Sequence, residues 1–183
     1  MQRVSVVGNS GSGKSRLGRR IAAIIDAPYV ELDAIHHLPG WEAIDPETFL
    51  AEVEAATASD RWVVDGNYRP IVPEGPVWQR ADTVVWLDLP RHVVMRQVTW
   101  RTMRRIATRR ELWNGNRESW RSALAWDPRE SIIRWSWTQH RKYRDRYVQA
   151  MRSPQYGHLR FVRLRSHDEA ERWLASVRRG RLD

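Results

Sequence analysis

Eight residues near the start of the chain, Gly8-Asn9-Ser10-Gly11-Ser12-Gly13-Lys14-Ser15, constrain its fold more than any other stretch. They fit G-x-x-x-x-G-K-[ST], the phosphate-binding loop or Walker A pattern. Glycines let the backbone curl so that successive N–H groups point inward onto phosphate oxygens. A helix directly after the loop adds the positive end of its dipole. Lys14 is placed to reach β- and γ-phosphates, and the Ser15 hydroxyl to ligate Mg²⁺. The flanks are what the pattern requires. Arg3–Val7 is a β-branched run that reads as a buried strand, and Arg16–Ile25 carries Leu17, Ile21, Ile24 and Ile25 at helical spacing. The chain has 29 Arg and two Lys, and one of the two is Lys14, where a compact ammonium suits a phosphate cradle better than a planar fork.

A chain of 183 residues is expected to form one domain, and 42% apolar with 29% charged content makes it globular rather than disordered. The absence of cysteine excludes disulfides, thiolate metal sites and a Cys nucleophile. No apolar run approaches the ~18 residues of a membrane span. The opening strand leaves no room for a signal peptide. The expectation is a cytoplasmic protein with no membrane partner. A net charge of +9 favours polyanionic partners, although the arginines look dispersed along the sequence. Stacking on nucleic-acid bases is one use for the eleven Trp, but core and interface packing is expected for most of them.

Further strands are predicted at Tyr29–Asp33, Arg61–Asp65, Asp82–Asp88 and Leu159–Leu164. Asp45-Pro46 opens a helix to about Ser59. A long helix runs from Arg91 to about Arg110, Asp127-Pro128 caps another to about Met151, and Ser166-x-x-Glu169 caps the last, which Gly180 ends. Strands alternating with helices predict a parallel sheet in an open α/β fold, with ligands beyond the carboxyl ends of the strands. Gly8–Ser15, Asp33, Asp65 and Asp88 all fall at such ends, and Gly66-Asn67-Tyr68-Arg69-Pro70 turns the chain after the third strand. The stretch from Arg91 to Met151 is too long for a simple crossover and is a candidate lid.

Asp65 closes an apolar strand as a Walker B carboxylate does, so it is the expected partner of Ser15 at the metal. Asp88 repeats the pattern, but Leu89-Pro90-Arg91 after it favours a helix N-cap. Asp33 is the candidate to hold or deprotonate an acceptor hydroxyl. His36 and His37 have no partner at metal-ligand spacing. Arg101, Arg105 and Arg109 recur at i, i+4 and i+8, a like-charge stripe that gains if phosphates neutralise it.

Together these residues resemble the adenylate kinase-like P-loop kinases, most closely the bacterial group labelled DNA topology modulation proteins or adenylate kinase-related kinases. Besides Gly8–Ser15, the likeness rests on Asp65-Gly66-Asn67-Tyr68-Arg69, which is similar to the Asp-Gly-Phe-Pro-Arg segment of adenylate kinases. Leu32-Asp33 with Pro39-Gly40-Trp41, the run Ala81–Pro90 and Val162–Ser166 carry the likeness to the narrower group. The resemblance implies a three-layer P-loop NTPase fold across residues 1–183, with a five-stranded parallel sheet in order 2-3-1-4-5 and an arginine-bearing helical lid at about 101–130. It implies that Asp65 orders Mg²⁺ waters, that Arg69 holds an acceptor phosphate, and that adenine sits near Arg165-Ser166. Asn67-Tyr68 departs from Phe-Pro.

The function expected is transfer of the ATP γ-phosphate, with Mg²⁺, to a small acceptor such as a nucleoside monophosphate. Lid arginines, Arg101 and Arg105 foremost, neutralise the moving group. The alternatives are a hydroxyl kinase of the shikimate or gluconate type, with Asp33 as base, and a nucleic-acid-associated NTP-binding protein affecting DNA topology. Nucleic acid is the less favoured partner.

Overall fold

Alternation along the first strand sets the layers. The computed structural model describes residues 1–69, 71–128 and 130–180. In β1 (Arg3–Gly8), Val4 and Val6 point to one face of the sheet and Val7 to the other, and all three are fully buried. The remaining strands are β2 (Tyr29–Glu31), β3 (Trp62–Asp65), β4 (Thr83–Leu87) and β5 (Arg160–Leu164). All pair in parallel, in the order β2-β3-β1-β4-β5. A parallel sheet must be covered on both faces. On one face lie α1 (Lys14–Ile25) and α8 (His167–Arg179), whose Leu17, Ile21 and Leu174 meet Val4, Val6 and Val85. On the other lie α3 (Pro46–Ala56), α4 (Pro76–Arg80) and the long α7 (Ile132–Arg152), where Trp78, Trp86 and Tyr147 pack on Val7 and Val84. The short α2 (Leu32–His36) follows β2, while α5 (Arg91–Ala107) and α6 (Trp120–Leu124) come between β4 and α7 in the chain and both pack on α7. The result is the three-layer α/β arrangement with the predicted sheet order.

Several boundaries differ from the sequence reading. The second strand stops at Glu31, and Asp33 rides on the first turn of α2 instead of ending a strand. Leu32 is wholly buried against Gly66, where a Cβ would stand 2.7 Å from the Leu32 Cβ. The strand thus ends two residues before the predicted Asp33, next to this close approach. α4 has no periodic signal and was not anticipated. α5 ends at Ala107. α7 starts at Ile132, capped by Ser131, whose Oγ accepts from the Arg134 N–H while donating to the Ala123 carbonyl. Asp127-Pro128 is therefore not its cap. Asp88 does not cap α5 either, because the Arg163 guanidinium holds its Oδ2 at 2.9 and 2.5 Å. Ser166 caps α8 as read, but Glu169 reaches back to the Arg165 N–H rather than to that of Ser166. The tryptophans divide: Trp62, Trp78 and Trp86 are in the core, while Trp41, Trp100, Trp120, Trp126, Trp135 and Trp137 are exposed. Pro70 and Arg129, which fall in the turn after β3 and in the 101–130 region, lie outside the described residues.

Candidate active site

The loop between β1 and α1 has the backbone its glycines allow. Gly8, Gly11 and Gly13 have φ of 145°, 87° and 96°, values that side-chain-bearing residues rarely adopt. Gly11 is also pressed against α5, since a Cβ there would lie 2.7 Å from the Val98 Cβ. The loop is tied down from behind. Asn9 Nδ2 donates to the Ser136 carbonyl at 2.7 Å and to its Oγ at 3.0 Å, and Ser136 Oγ returns a bond to the Ser10 carbonyl at 2.9 Å. Asn67 exchanges bonds with the Gly8 N–H and carbonyl and accepts from the Tyr147 hydroxyl. Lys14 folds back with its Nζ 3.3 Å from the Asn9 carbonyl.

At the start of α1 the Ser15 hydroxyl donates to Asp65 Oδ2 at 2.6 Å, and the Tyr29 hydroxyl donates to the same oxygen at 2.9 Å. Glu31 Oε1 stands 3.4 Å from Ser15 Oγ, and its other oxygen pairs with Arg19. Burial pushes the Asp65 carboxyl above its ordinary range, the Lys14 ammonium and the Ser15 hydroxyl pull it back, and Asp33 pushes again. Glu31 is raised by burial and by Asp65, with Arg19 opposing. Asp65 Oδ1 is buried with no hydrogen-bond partner. A hydroxyl beside a carboxylate with one unpaired buried oxygen fits Mg²⁺, which takes one or two protein oxygens and fills its remaining positions with phosphate oxygens and water. Among the described residues no group of three or more His, Cys, Asp or Glu forms a metal cage by itself.

Asp33 belongs to a second cluster of side chains. Its Oδ1 accepts from the Tyr68 hydroxyl at 2.8 Å, and the Tyr68 oxygen is 3.4 Å from His37 Nε2. His36 packs on Phe49 and Tyr68, and Trp113 stacks on His37 at 5.9 Å between centroids. Burial lowers both histidines, with the Asp33 carboxylate opposing. The cluster is roofed by two turns clasped together. Asn116 accepts from the Trp41 N–H and donates to the Leu38 carbonyl, and Asn114 donates to the His37 carbonyl at 2.6 Å.

From α5, Arg101 Nη2 comes within 3.5 Å of Ser10 Oγ, and its Nε is buried without a partner. Burial and the adjacent Arg105 push the Arg101 guanidinium down to about 10. Arg105 pairs with Glu118 at 2.9 Å. Arg69 and Arg165 stand apart from this group. The first is exposed and paired with Glu74. The second is exposed on the turn from β5 into α8, which adjoins Gly13 through His167. Supports absent from the sequence reading are Ser136 and Tyr147, which carry no motif, and Glu31, whose signal was its place two residues before Asp33. The loop residues, Ser15, Asp65, Asp33 and Arg101 are thus brought together.

Sheet order, loop and covering helices define the three-layer P-loop class. Among solved structures the chain is similar to a shikimate kinase from Bacteroides thetaiotaomicron, with TM-score 0.56 and 13% identity over 100% of this chain and 99% of that one. It is also similar to a shikimate kinase from Acinetobacter baumannii in complex with shikimate, with TM-score 0.53 and 17% identity over 100% and 96% of the two chains. At such identities the likeness is one of fold. No family model and no curated protein matches the chain.

Proposed function

We propose that the protein is an ATP-dependent phosphotransferase whose acceptor is a small hydroxyl compound. The observation that carries this is the placement of unpaired buried polar atoms. Among the described residues nine such side-chain atoms lack a partner, and Ser12 Oγ, Asp65 Oδ1 and Arg101 Nε surround one loop. Buried polar groups are almost always satisfied, so the three of the nine that meet at the Walker A loop support a polyanion and its cation as their partners. Loop amides and Lys14 hold the ATP phosphates, Ser15 and Asp65 hold Mg²⁺, and Arg101 meets the charge of the transferring group. The region around 101–130 serves as the lid that excludes water. Held by Ser15 and Asp65, Mg²⁺ would supply charge neutralisation to the ATP phosphates.

For the acceptor, Asp33 is the base. It takes the proton as the acceptor oxygen bonds to the γ-phosphorus and the bond to the β-bridging oxygen breaks, releasing ADP. Tyr68 orients the carboxylate through Oδ1. The fold shared with two shikimate kinases agrees with a hydroxyl acceptor. A nucleoside monophosphate would need a phosphate clamp, and Arg69 is engaged by Glu74 at the surface. Steady-state kinetics separate the two. Asp33→Asn lowers kcat by about 10²–10⁴-fold with KM for ATP nearly unchanged, the range for loss of a general base. Arg69→Ala leaves kcat/KM within about threefold, a loss under ~1 kcal/mol. The reverse pattern would replace the hydroxyl acceptor with a phosphorylated one.

A further inference from the structure

The buried stripe of α5 is Val94, Val98, Thr102 and Ile106, and the opposite stripe is His92, Arg96, Trp100 and Arg104. Trp100 is 72% exposed, although it lies in the middle of a well-formed helix. Two shallow apolar grooves meet on this side at Met95. One runs along α5 past Trp100 and Met103. The other crosses to Leu124, Ile133 and Trp137 on α6 and α7. Leu124 and Trp126 are 71% and 83% exposed. Contiguous apolar surface of this kind on a folded chain marks an interaction site.

The exposed stripe of α5 is basic, with Arg96 and Arg104 on either side of Trp100, while Asp127 and Glu130 lie in the turn before α7. α5 carries five arginines and no carboxylate, and α7 carries six basic side chains against Asp145. Part of this charge lies elsewhere, since Arg101 turns to the phosphate loop, Arg105 pairs with Glu118 and Arg144 lies 3.8 Å from Asp88. No acidic residue lines either groove. Arg91 lies over the Trp137 ring at 4.5 Å and Arg134 over the Trp126 ring at 4.2 Å.

We propose that this outer face of α5, α6 and the start of α7 docks on an anionic lipid surface. Tryptophan rings favour the headgroup level, arginines pair with lipid phosphates, and Leu124, Met95 and Ile133 offer aliphatic surface to the acyl boundary. Other occupants fit less well. Single-stranded nucleic acid needs open ring faces for base stacking, and arginines already cover a face of Trp126 and of Trp137. A second copy of the chain would set the exposed Arg96 and Arg104 against the same arginines. Among the described residues no helix is long and apolar enough to cross a membrane, so the contact is peripheral. An apolar run of spanning length is the wrong signal for such a face, which is why the sequence reading expected no membrane partner.

The test is co-sedimentation of the full chain with phosphatidylcholine–phosphatidylglycerol vesicles and with phosphatidylcholine vesicles. Binding is expected only to the mixed vesicles, and it falls as salt is raised. Arg96→Glu is expected to weaken partitioning at least fivefold, and Trp100→Ala severalfold even at low salt. Arg179→Glu makes the same charge change on exposed α8 and leaves partitioning within about twofold, because the effect belongs to the face and not to net charge. ATP-induced thermal shifts confirm that each variant is folded. The proposal is overturned by absence of vesicle binding, or by equal loss in Arg179→Glu. It is also overturned if Trp100→Ala abolishes tighter binding to an oligothymidylate strand, or a dimer seen by sedimentation.

Discussion

Asp65 concentrates the chemistry of single residues. Its carboxylate is buried, accepts two hydroxyl donors on one oxygen, and has nothing on the other. Burial raises its folded-state pKa above the unfolded value. For a carboxyl shifted this way, the stabilising contribution is complete below the unfolded pKa and is lost as pH rises through the folded one. At pH 7 the charge is therefore a cost to the apo protein. Asp65→Asn is expected to melt a few degrees above the wild type at pH 7 without Mg²⁺, equivalent to ~1 kcal/mol, and the gap closes toward pH 4. Mg²⁺ with ATP raises the melting temperature of the wild type and not of the variant. A variant that melts lower than wild type at pH 7, or still responds to Mg²⁺ with ATP, contradicts the role given to Asp65. Calorimetry of the two proteins across pH reads both outcomes.

Strand, loop and helix were legible wherever periodicity or a motif spoke. The five strands and the loop appear at their predicted places because β-branched runs between helices have few other solutions. What misled the sequence reading was local polar chemistry with competing partners. Asp127 preceded a proline and looked like a cap, but Ser131 also bonds the Ala123 carbonyl and so fixes where α7 begins. Asp88 had the Walker B pattern and then a cap position, and its partner Arg163 lies 75 residues away, where no local pattern reveals it. Asp33 was found as a residue but placed on the wrong element, since the contact of Leu32 with Gly66 is long-range. The β1–α1 element itself depends on its fit to α5. Gly11→Ala is expected to lose ~2 kcal/mol or more of stability and at least tenfold in ATP affinity, because a left-handed φ and a clash with Val98 add. Gly40→Ala is the control. It has φ +77° with nothing within 4 Å, so only the backbone term of ~1–2 kcal/mol applies and ATP binding stays. Equal affinity losses in the two variants, read by denaturant unfolding and nucleotide titration, would mean that the fit against α5 has no special role.

Over the whole molecule, folding sorts what the sequence scatters. The arginines look dispersed along the chain, yet α5 and α7 gather eleven basic side chains onto adjacent helices. One side of α5 turns Arg101 toward the phosphate loop while the other turns Arg96 and Trp100 to solvent. The proposed acceptor site is likewise assembled from distant pieces: Asp33 and His37 from α2 and its turn, Tyr68 after β3, and Trp113 from the clasp. No sequence window contains that set, so acceptor chemistry was the least legible part. Phosphoryl transfer from the Walker A loop to the Asp33 cluster is the central proposal. A coupled assay of ADP release with Mg²⁺ and ATP, run across small hydroxy acids, polyols and nucleoside monophosphates, tests it most directly. At least one hydroxyl compound is expected to raise ADP release well above the acceptor-free rate and to recover phosphate in equal amount, with the stimulation lost in Asp33→Asn. Stimulation by a nucleoside monophosphate that survives in Asp33→Asn, or no stimulation by any acceptor while ATP still binds, would contradict it.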